Sequence, residues 1–176
     1  MDLEVFFERE RDRYLAQYRG FLDRQKAGCV LGSSEVKFEL GGAQGVFGGV
    51  YCADFVNNDK GAEIVEFQPV KDRVNDPFMA EFGFMDIRVE AFSWDKVSLE
   101  CDPQVLTAET LVEWFETWFD PYDNRLDPDA EFSECIHCAV VVDNRLTLDM
   151  GTAPIDALLT LLELYEQEGA TRLLIS

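Results

Sequence analysis

The sequence has almost none of the residue type on which most proton-transfer catalysis depends. Of its 176 residues only His137 is a histidine. Any Ser-His-Asp or Cys-His mechanism would have to use that side chain, and no nucleophile stands at a recognisable spacing from it. A structural role for His137 is therefore favoured over a catalytic one, and a non-enzymatic function over an enzymatic one.

Long apolar runs and basic residues are also scarce. No apolar run reaches the roughly 18 residues that span a bilayer, and the opening MDLEVFFERERDR carries charges where a signal peptide is apolar. We therefore expect a cytoplasmic protein. Lys and Arg number 15 against 35 acids, for a net charge of −20, which argues against nucleic acid and anionic membrane surfaces as partners. A cationic partner remains open.

Cysteine is present in an odd number, five, without the spacing of a disulfide framework. This suits a reducing compartment, so no disulfides are expected. The one Cys-x-x-Cys, Cys135 and Cys138, runs into a β-branched stretch that ends at Val142. Positions three apart in a strand face opposite sides, so a shared metal site would survive only if the strand began after Cys138. We predict buried small side chains, with no metal and no cofactor.

A glycine-rich stretch, GGAQGVFGG, occupies residues 41–49. It has no following Lys-Ser or Lys-Thr, and the next segment is strand-like rather than helical, so a phosphate-binding loop is excluded. The stretch is interpreted as a hairpin connection, because glycine suits a turning backbone.

The first half of the chain predicts a helix followed by hairpins. Apolar residues recur at helical spacing over residues 2–27, and Gly28 follows as a stop signal. Alternation then predicts strands around residues 36–40, 50–56, 62–70 and 84–91. The predicted organisation is an N-terminal helix, residues 1–28, and an antiparallel β-rich region, residues 29–94.

Residues 95–176 predict the order β-α-β-β-α-β. A strand from Val97 is followed by a helix capped by Thr107, two strands joined at Asp143-Asn144, a helix after Pro154 and a final strand over residues 172–175. That order is typical of a ferredoxin-like unit, a four-stranded antiparallel sheet with both helices on one face. The fold class is α+β, and the regions are allowed to pack as a single domain with one continuous antiparallel core.

The turn at Asp143-Asn144 decides where His137 points. A two-residue turn would place His137 on the same face as Leu146 and Leu148, towards the helices. A three-residue loop would place it on the other face, with Thr147 and Asp149. The two-residue register is preferred, although neither turn residue is glycine.

Acidic residues are concentrated in one part of the chain. Residues 97–134 hold eleven acids and one base, whereas residues 1–28 hold six of each. On the helix after Thr107, four acids at spacings of four, three and four form a stripe, and the following loop continues it. The predicted partner-binding residues are Glu109, Glu113, Glu116, Asp120, Asp123, Asp127, Asp129 and Glu131. The apolar residues opposite the stripe are Leu111, Val112, Phe115, Trp118 and Phe119.

These observations favour a non-enzymatic, acidic cytoplasmic module that docks a basic protein, of the inhibitor, immunity or adaptor type. The alternative is a small-ligand or divalent-metal-dependent enzyme that uses the acidic loop, residues 120–134. Asp127, Asp129 and Glu131 alternate there, but the segment lacks the glycine and the distal glutamate of an EF-hand loop. No sequence feature indicates an oligomeric state.

Overall fold

The computed structural model describes residues 1–41, 45–59, 61–71, 74–101 and 103–176. Those residues contain three α-helices, two sheets and a short 3-10 turn, Phe47–Gly49. The elements are α1 Leu3–Ala27, β1 Gly32–Glu39, β2 Val50–Asn57, β3 Glu63–Val65, β4 Phe78–Phe82, β5 Met85–Val89, β6 Val97–Glu100, α2 Ala108–Phe119, β7 Cys138–Val142, β8 Arg145–Asp149, α3 Ile155–Gln167 and β9 Arg172–Ile175. The α+β class is confirmed.

Helix α1 forms as its sequence predicts. The side chain of Asp2 caps it by accepting from Val5 N at 3.2 Å, and Gly28 follows its last residue. The acidic residue Glu4 lies in the first turn and the basic residue Arg24 in the last turn, and both complement the helix dipole. Its buried stripe contacts β1, β2 and α3. The buried residues are Leu3, Phe6, Phe7, Tyr14, Leu15, Tyr18, Phe21 and Leu22.

The smaller sheet has the order β1-β2-β3 and is antiparallel. The predicted hairpin is confirmed by the pairing of β1 with β2, although residues 42–44 of the glycine-rich connection lie outside the described residues. The run over residues 62–70 gives only a three-residue strand. Beyond Val65 the chain leaves the sheet, and Phe67 N donates to the carboxylate of Asp54 at 2.7 Å instead of to a neighbouring strand.

The larger sheet has the order β4-β5-β9-β6-β8-β7. From β9 to β7 every neighbouring pair is antiparallel. The elements from β6 to β9 follow the predicted order β-α-β-β-α-β. In β5 the side chains of Met85, Ile87 and Val89 are buried and those of Asp86 and Arg88 are exposed, which confirms the predicted alternation.

Two features of the middle region differ from the prediction. Strand β4 was not expected, and β5 joins the larger sheet by pairing in parallel with β9. The expectation of a wholly antiparallel core is therefore wrong at this pair. Local alternation reveals that a segment is a strand but not which distant strand it pairs with. The boundaries at residues 28 and 94 remain predictions, although one hydrophobic core includes residues from all three regions.

The two sheets meet along the outer edge of β7. Val46 bridges Val140, and Val141 N donates to Gly45 O at 2.7 Å. Further along, Cys52 N of β2 donates to His137 O at 2.7 Å. Gly45 and Val46 of the glycine-rich connection therefore cover a strand edge that would otherwise present unpaired backbone groups.

Helix α2 buries a face slightly different from the predicted one. Leu111, Phe115 and Phe119 are buried as expected, but Val112 is 41% exposed and Trp118 is only half-buried. Trp114 is buried in their place. The reason is α3: the indole of Trp114 donates to Ala157 O at 2.8 Å, and that of Trp118 donates to Thr160 Oγ1 at 3.0 Å. Both rings therefore turn towards α3.

Within the described residues, no helix combines the length and the apolar character needed to cross a bilayer.

Candidate functional site

The acidic stripe predicted on α2 is present, with one exception. Glu109, Glu113 and Glu116 are exposed, and in the described part of the chain no Lys or Arg forms an ion pair with them. We call these three residues the acidic face. Asp120 does not belong to it, because its side chain is buried.

Asp120 ends α2 in a left-handed conformation, with φ of 50°. Its carboxylate accepts from Asn124 N at 2.8 Å and from Arg125 N at 2.7 Å. These two bonds give Asp120 a structural role in the turn that follows α2, and its predicted partner-binding role stays a prediction.

The acidic loop, residues 120–134, is exposed, but part of its charge is neutralised within the chain. Asp123 forms an ion pair with Lys37 of β1, and Glu131 pairs with Arg19 of α1. Asp127 accepts from Asp129 N at 2.9 Å, which closes a local turn. Of the predicted loop residues, Asp127 and Asp129 therefore keep their charges free of these ion pairs.

The loop carboxylates do not converge on a cation site. Among the described residues, the group of three metal-binding side chains that lie close together is Cys52, Cys135 and His137, and it includes no loop residue. The alternative of a metal-dependent enzyme built on this loop stays a prediction that the geometry does not support.

A groove runs beside the acidic face, between α2 and β1. It has a volume of about 400 Å³ and is lined by Lys37, Phe47, Val112, Phe115, Glu116 and Tyr122, among others. Val112 and Tyr122 are exposed, at 41% and 83%. Exposed apolar surface rimmed by charge is typical of a protein-binding site.

The second site is buried and surrounds the single histidine. His137 is 1% exposed. Its Nε2 lies 3.1 Å from Glu35 Oε1, and its Nδ1 lies 3.1 Å from Asp54 Oδ1. Glu35 and Asp54 face each other on β1 and β2, so both strands of the hairpin contact one imidazole. We call Glu35, Cys52, Asp54, Cys135 and His137 the His137 cluster.

The orientation of His137 confirms the preferred register. Ala139 pairs with Leu148 and Val141 with Leu146, across a two-residue turn at Asp143-Asn144. The ring lies 6.1 Å from that of Tyr18 on α1. The two-residue turn is therefore confirmed, and the helix that the imidazole contacts is α1, which lies outside the predicted β-α-β-β-α-β unit.

Hydrogen bonds fix the Glu35 carboxylate, whereas one oxygen of Asp54 lies beside His137 without a directed hydrogen bond. Ser133 N donates to Glu35 Oε2 at 2.8 Å, and the hydroxyl of Thr152 donates to Oε1. By contrast, His137 Nδ1 and Asp54 Oδ1 are buried and, despite their short separation, do not form a directed hydrogen bond. Buried polar atoms without such a bond are uncommon and call for an explanation.

The charges in the cluster stabilise one another. Burial lowers the pKa of His137, but the carboxylates of Asp54 and Glu35 outweigh burial and raise it well above its usual value. Burial raises the pKa values of Glu35 and Asp54, and contacts with His137 lower both below their usual values. The cluster therefore favours an imidazolium between two carboxylates.

Two cysteines lie beside the imidazole. The hydrogen bond between Cys52 and Cys135 raises the pKa of Cys52, as does burial. The same hydrogen bond lowers the pKa of Cys135 against the effect of burial, with a smaller contribution from the charge of His137. Cys135 is thus the thiol that deprotonates first. Cys138 is the other cysteine of the Cys-x-x-Cys motif. It begins β7 and does not belong to the close group of Cys52, Cys135 and His137.

Two further carboxylates at the edge of the cluster have pKa values raised towards neutral pH. Partial burial raises the pKa of Glu66 to about 7, and its hydrogen bond to Asp54 adds to the effect. Burial also raises the pKa of Asp149 to about 6, against the charge of His137.

Most of the His137 cluster was not predicted from the sequence. The available signal was Asp54, a single acid inside the apolar run YCADFV, since a charge at a buried strand position needs a partner. Glu35 gave no such signal: its side chain reaches the core because its backbone has φ of 52°. That conformation is rare for a residue with a side chain and cannot be read from the residue type.

No family model matches the chain, and neither curated proteins nor solved structures show significant similarity to it. Its function must therefore be inferred from its own residues.

Proposed function

We propose that this chain is a non-enzymatic cytoplasmic module that docks a basic protein through the acidic face of α2 and the adjoining groove. The observation that carries the proposal is the exposure of Glu109, Glu113 and Glu116 on one helix face, without an intramolecular cation among the described residues. They lie within a segment that holds half of the net charge of the chain.

The stripe does not serve the helix itself. Like charges three and four residues apart repel one another and weaken a helix by a few tenths of a kcal/mol per pair. A cationic partner would remove that repulsion. The chain instead offers its own cations, Arg19 and Lys37, to acids of the loop, which leaves the acidic face for an external partner.

The groove defines the chemistry of the partner more closely. Its exposed apolar residues, Val112 and Tyr122, adjoin Glu116. Interfaces commonly have an apolar centre and a charged rim. The partner is therefore a basic segment that also presents an aromatic or aliphatic side chain. A protein that masks such a segment is an inhibitor or an immunity-type protein, and one that only tethers it is an adaptor.

The experiment compares two triple variants that lose the same charge. One carries Glu109→Gln, Glu113→Gln and Glu116→Gln; Asp120 is left unchanged because it is structural. The control carries Glu8→Gln, Asp12→Asn and Asp23→Asn on the exposed side of α1. The probe is a synthetic peptide of Arg and Lys residues with one central Phe, and its association rate is measured at low and moderate salt.

We expect the α2 variant to associate about tenfold more slowly at low salt and to lose most of its salt dependence, because exposed charges act mainly on encounter rates. The α1 control should change much less, and both variants should melt at or slightly above the wild-type temperature. Equal losses in the two variants would mean that only net charge matters, and would overturn the proposal.

A further inference from the structure

The two cysteines of the His137 cluster come from distant parts of the chain and meet in the core. Cys52 lies on β2 and Cys135 lies just before β7, and they are 2% and 0% exposed. One ligand atom from each of Cys52, Cys135 and His137 lies within 4.8 Å of the other two. Three soft or borderline donors are thus gathered at one point between the two sheets.

We propose that Cys52, Cys135 and His137 bind one zinc ion, with Glu35 as the fourth ligand. Two thiolates and an imidazole are donors that zinc prefers, and a structural zinc site is tetrahedral and closed. Bonds of about 2.0 to 2.3 Å place tetrahedral ligand atoms about 3.3 to 3.8 Å apart. The three ligand atoms need to approach one another by about 1.5 Å at most to reach that spacing.

Glu35 is not one of the three donors that already lie within 4.8 Å of one another, but it contacts one of them, so its carboxylate is the group that can move in as the fourth ligand. Its Oε1 lies 3.1 Å from His137 Nε2, close to the separation of two ligand atoms on one zinc ion. The metal would take the place of the proton that Glu35 and His137 share. Ser133 N would keep Oε2 in position.

Asp54 then becomes the carboxylate that orients the imidazole. Histidine ligands usually donate their second N–H to a carboxylate. His137 Nδ1 and Asp54 Oδ1 are buried 3.1 Å apart without a directed hydrogen bond. A small rotation of the ring towards a metal on Nε2 would allow that bond to form, which accounts for two buried polar atoms at once.

The role of such an ion is structural. His137 and both cysteines are almost completely buried, so the site has no open position for a substrate. The ligands come from β1, β2 and the segment before β7, and the ion would fasten the smaller sheet to the larger one where Cys52 N already donates to His137 O. This inference does not depend on the proposed docking function.

The experiment begins with the full chain purified without chelator and with its refolding in the presence of zinc or cobalt(II). We expect one zinc per chain by elemental analysis. Cobalt should give the absorption of a tetrahedral site with thiolate charge transfer, and zinc should raise the melting temperature, because an ion that binds only the folded state stabilises it.

The variants separate this site from the Cys-x-x-Cys motif. Cys52→Ser and Cys135→Ser should lose the metal, whereas Cys138→Ser should keep it. If the first two variants do not fold, Asp54→Asn provides the test: zinc affinity should fall about 10- to 100-fold, as for other groups that hold a histidine ligand.

Three results would overturn the proposal. The first is wild-type protein without stoichiometric zinc and without thiolate absorption from cobalt. The second is loss of the metal in Cys138→Ser. The third is a Cys52–Cys135 disulfide, seen as three reactive thiols after denaturation rather than the five of the reduced chain.

Discussion

At position 151 the imidazole of His137 occupies the space that any side chain would need. Gly151 has φ of +50°, and a Cβ built on it would lie 2.1 Å from His137 Cδ2. Its carbonyl accepts from the indole of Trp94 at 3.0 Å, and its N–H donates to Asp149 at 3.0 Å. These two hydrogen bonds hold the backbone at Gly151 against the imidazole of His137, so it cannot move away easily.

We expect Gly151→Ala to be strongly destabilising. The control is Gly169→Ala, since Gly169 has φ of +90° with no heavy atom within 4 Å of an added Cβ. The control should lower the free energy of unfolding by about 1 to 2 kcal/mol, because alanine is strained in the left-handed backbone conformation. Gly151→Ala should cost about 1 to 3 kcal/mol more, from overpacking against His137. Urea unfolding of both variants measures the difference, and equal costs would contradict the described contact.

Glu66 gives the cluster a pH dependence with a definite sign. Its pKa in the folded chain is raised to about 7, from an ordinary value of 4.5, by burial and by Asp54. The folded state therefore resists ionisation of Glu66. The resulting penalty is absent below about pH 4.5, grows between pH 4.5 and 7, and is complete above pH 7.

Glu66→Gln should remove that penalty. We expect the variant and the wild type to melt together near pH 4.5, and the variant to melt higher at pH 8. Glu63→Gln, an exposed acid on β3, is the control for the change in net charge. Melting temperatures of wild type and Glu66→Gln that change in parallel across this pH range would show that folding does not raise the pKa of Glu66.

Among the elements, α2 combines a core role with the proposed surface role. Thr107 and Thr110 form a reciprocal capping box at its start, and its apolar face packs Phe115 against Phe47 and Phe119, with ring centroids 5.0 and 5.1 Å apart. The acidic face lies on the solvent side. Substitutions on the acidic face should therefore leave the packing of the apolar face unchanged.

We expect Phe115→Ala to cost about 3 to 5 kcal/mol, as a large-to-small change in a packed core. Val112→Ala, on the exposed flank of the same helix, should cost less than about 1 kcal/mol. Both are measured by denaturant unfolding. A cost below about 1 kcal/mol for Phe115→Ala would mean that the helix buries a different face.

The sequence predicts where helices and strands form better than it predicts which of them pair or pack together. The N-terminal cap of α2 and the strands β5 and β9 follow from local periodicity and from capping residues, so they could be predicted. The exposure of Val112 and Trp118 could not be predicted, because it depends on where α3 lies. The parallel pairing of β5 with β9 was missed for the same reason: contacts between distant segments leave no local pattern. Strand β4 is different, because it pairs with its neighbour β5 across a two-residue turn and was missed as a local hairpin.

In the whole molecule, the acidic face of α2 is exposed to solvent, whereas the His137 cluster is buried between the two sheets. The acidic face is a surface feature that composition and helical spacing could reveal. The His137 cluster gathers residues more than eighty positions apart in the chain, from position 35 to position 137, and only the closing of the smaller sheet onto β7 brings them together. No spacing rule connects Cys52 with Cys135, and the obvious motif, Cys135 with Cys138, points to a different pair.

The central claim is that a basic partner docks on the acidic face of α2 and the adjoining groove. It is tested most directly by amide chemical-shift mapping of the full 15N-labelled chain, titrated at low salt with the Arg- and Lys-rich peptide that carries one Phe. We expect the shifts to concentrate in Ala108–Phe119 and residues 120–134, with smaller ones at Lys37 across the groove. Shifts spread evenly over the acids of α1 and the larger sheet, or centred away from α2, would contradict the account.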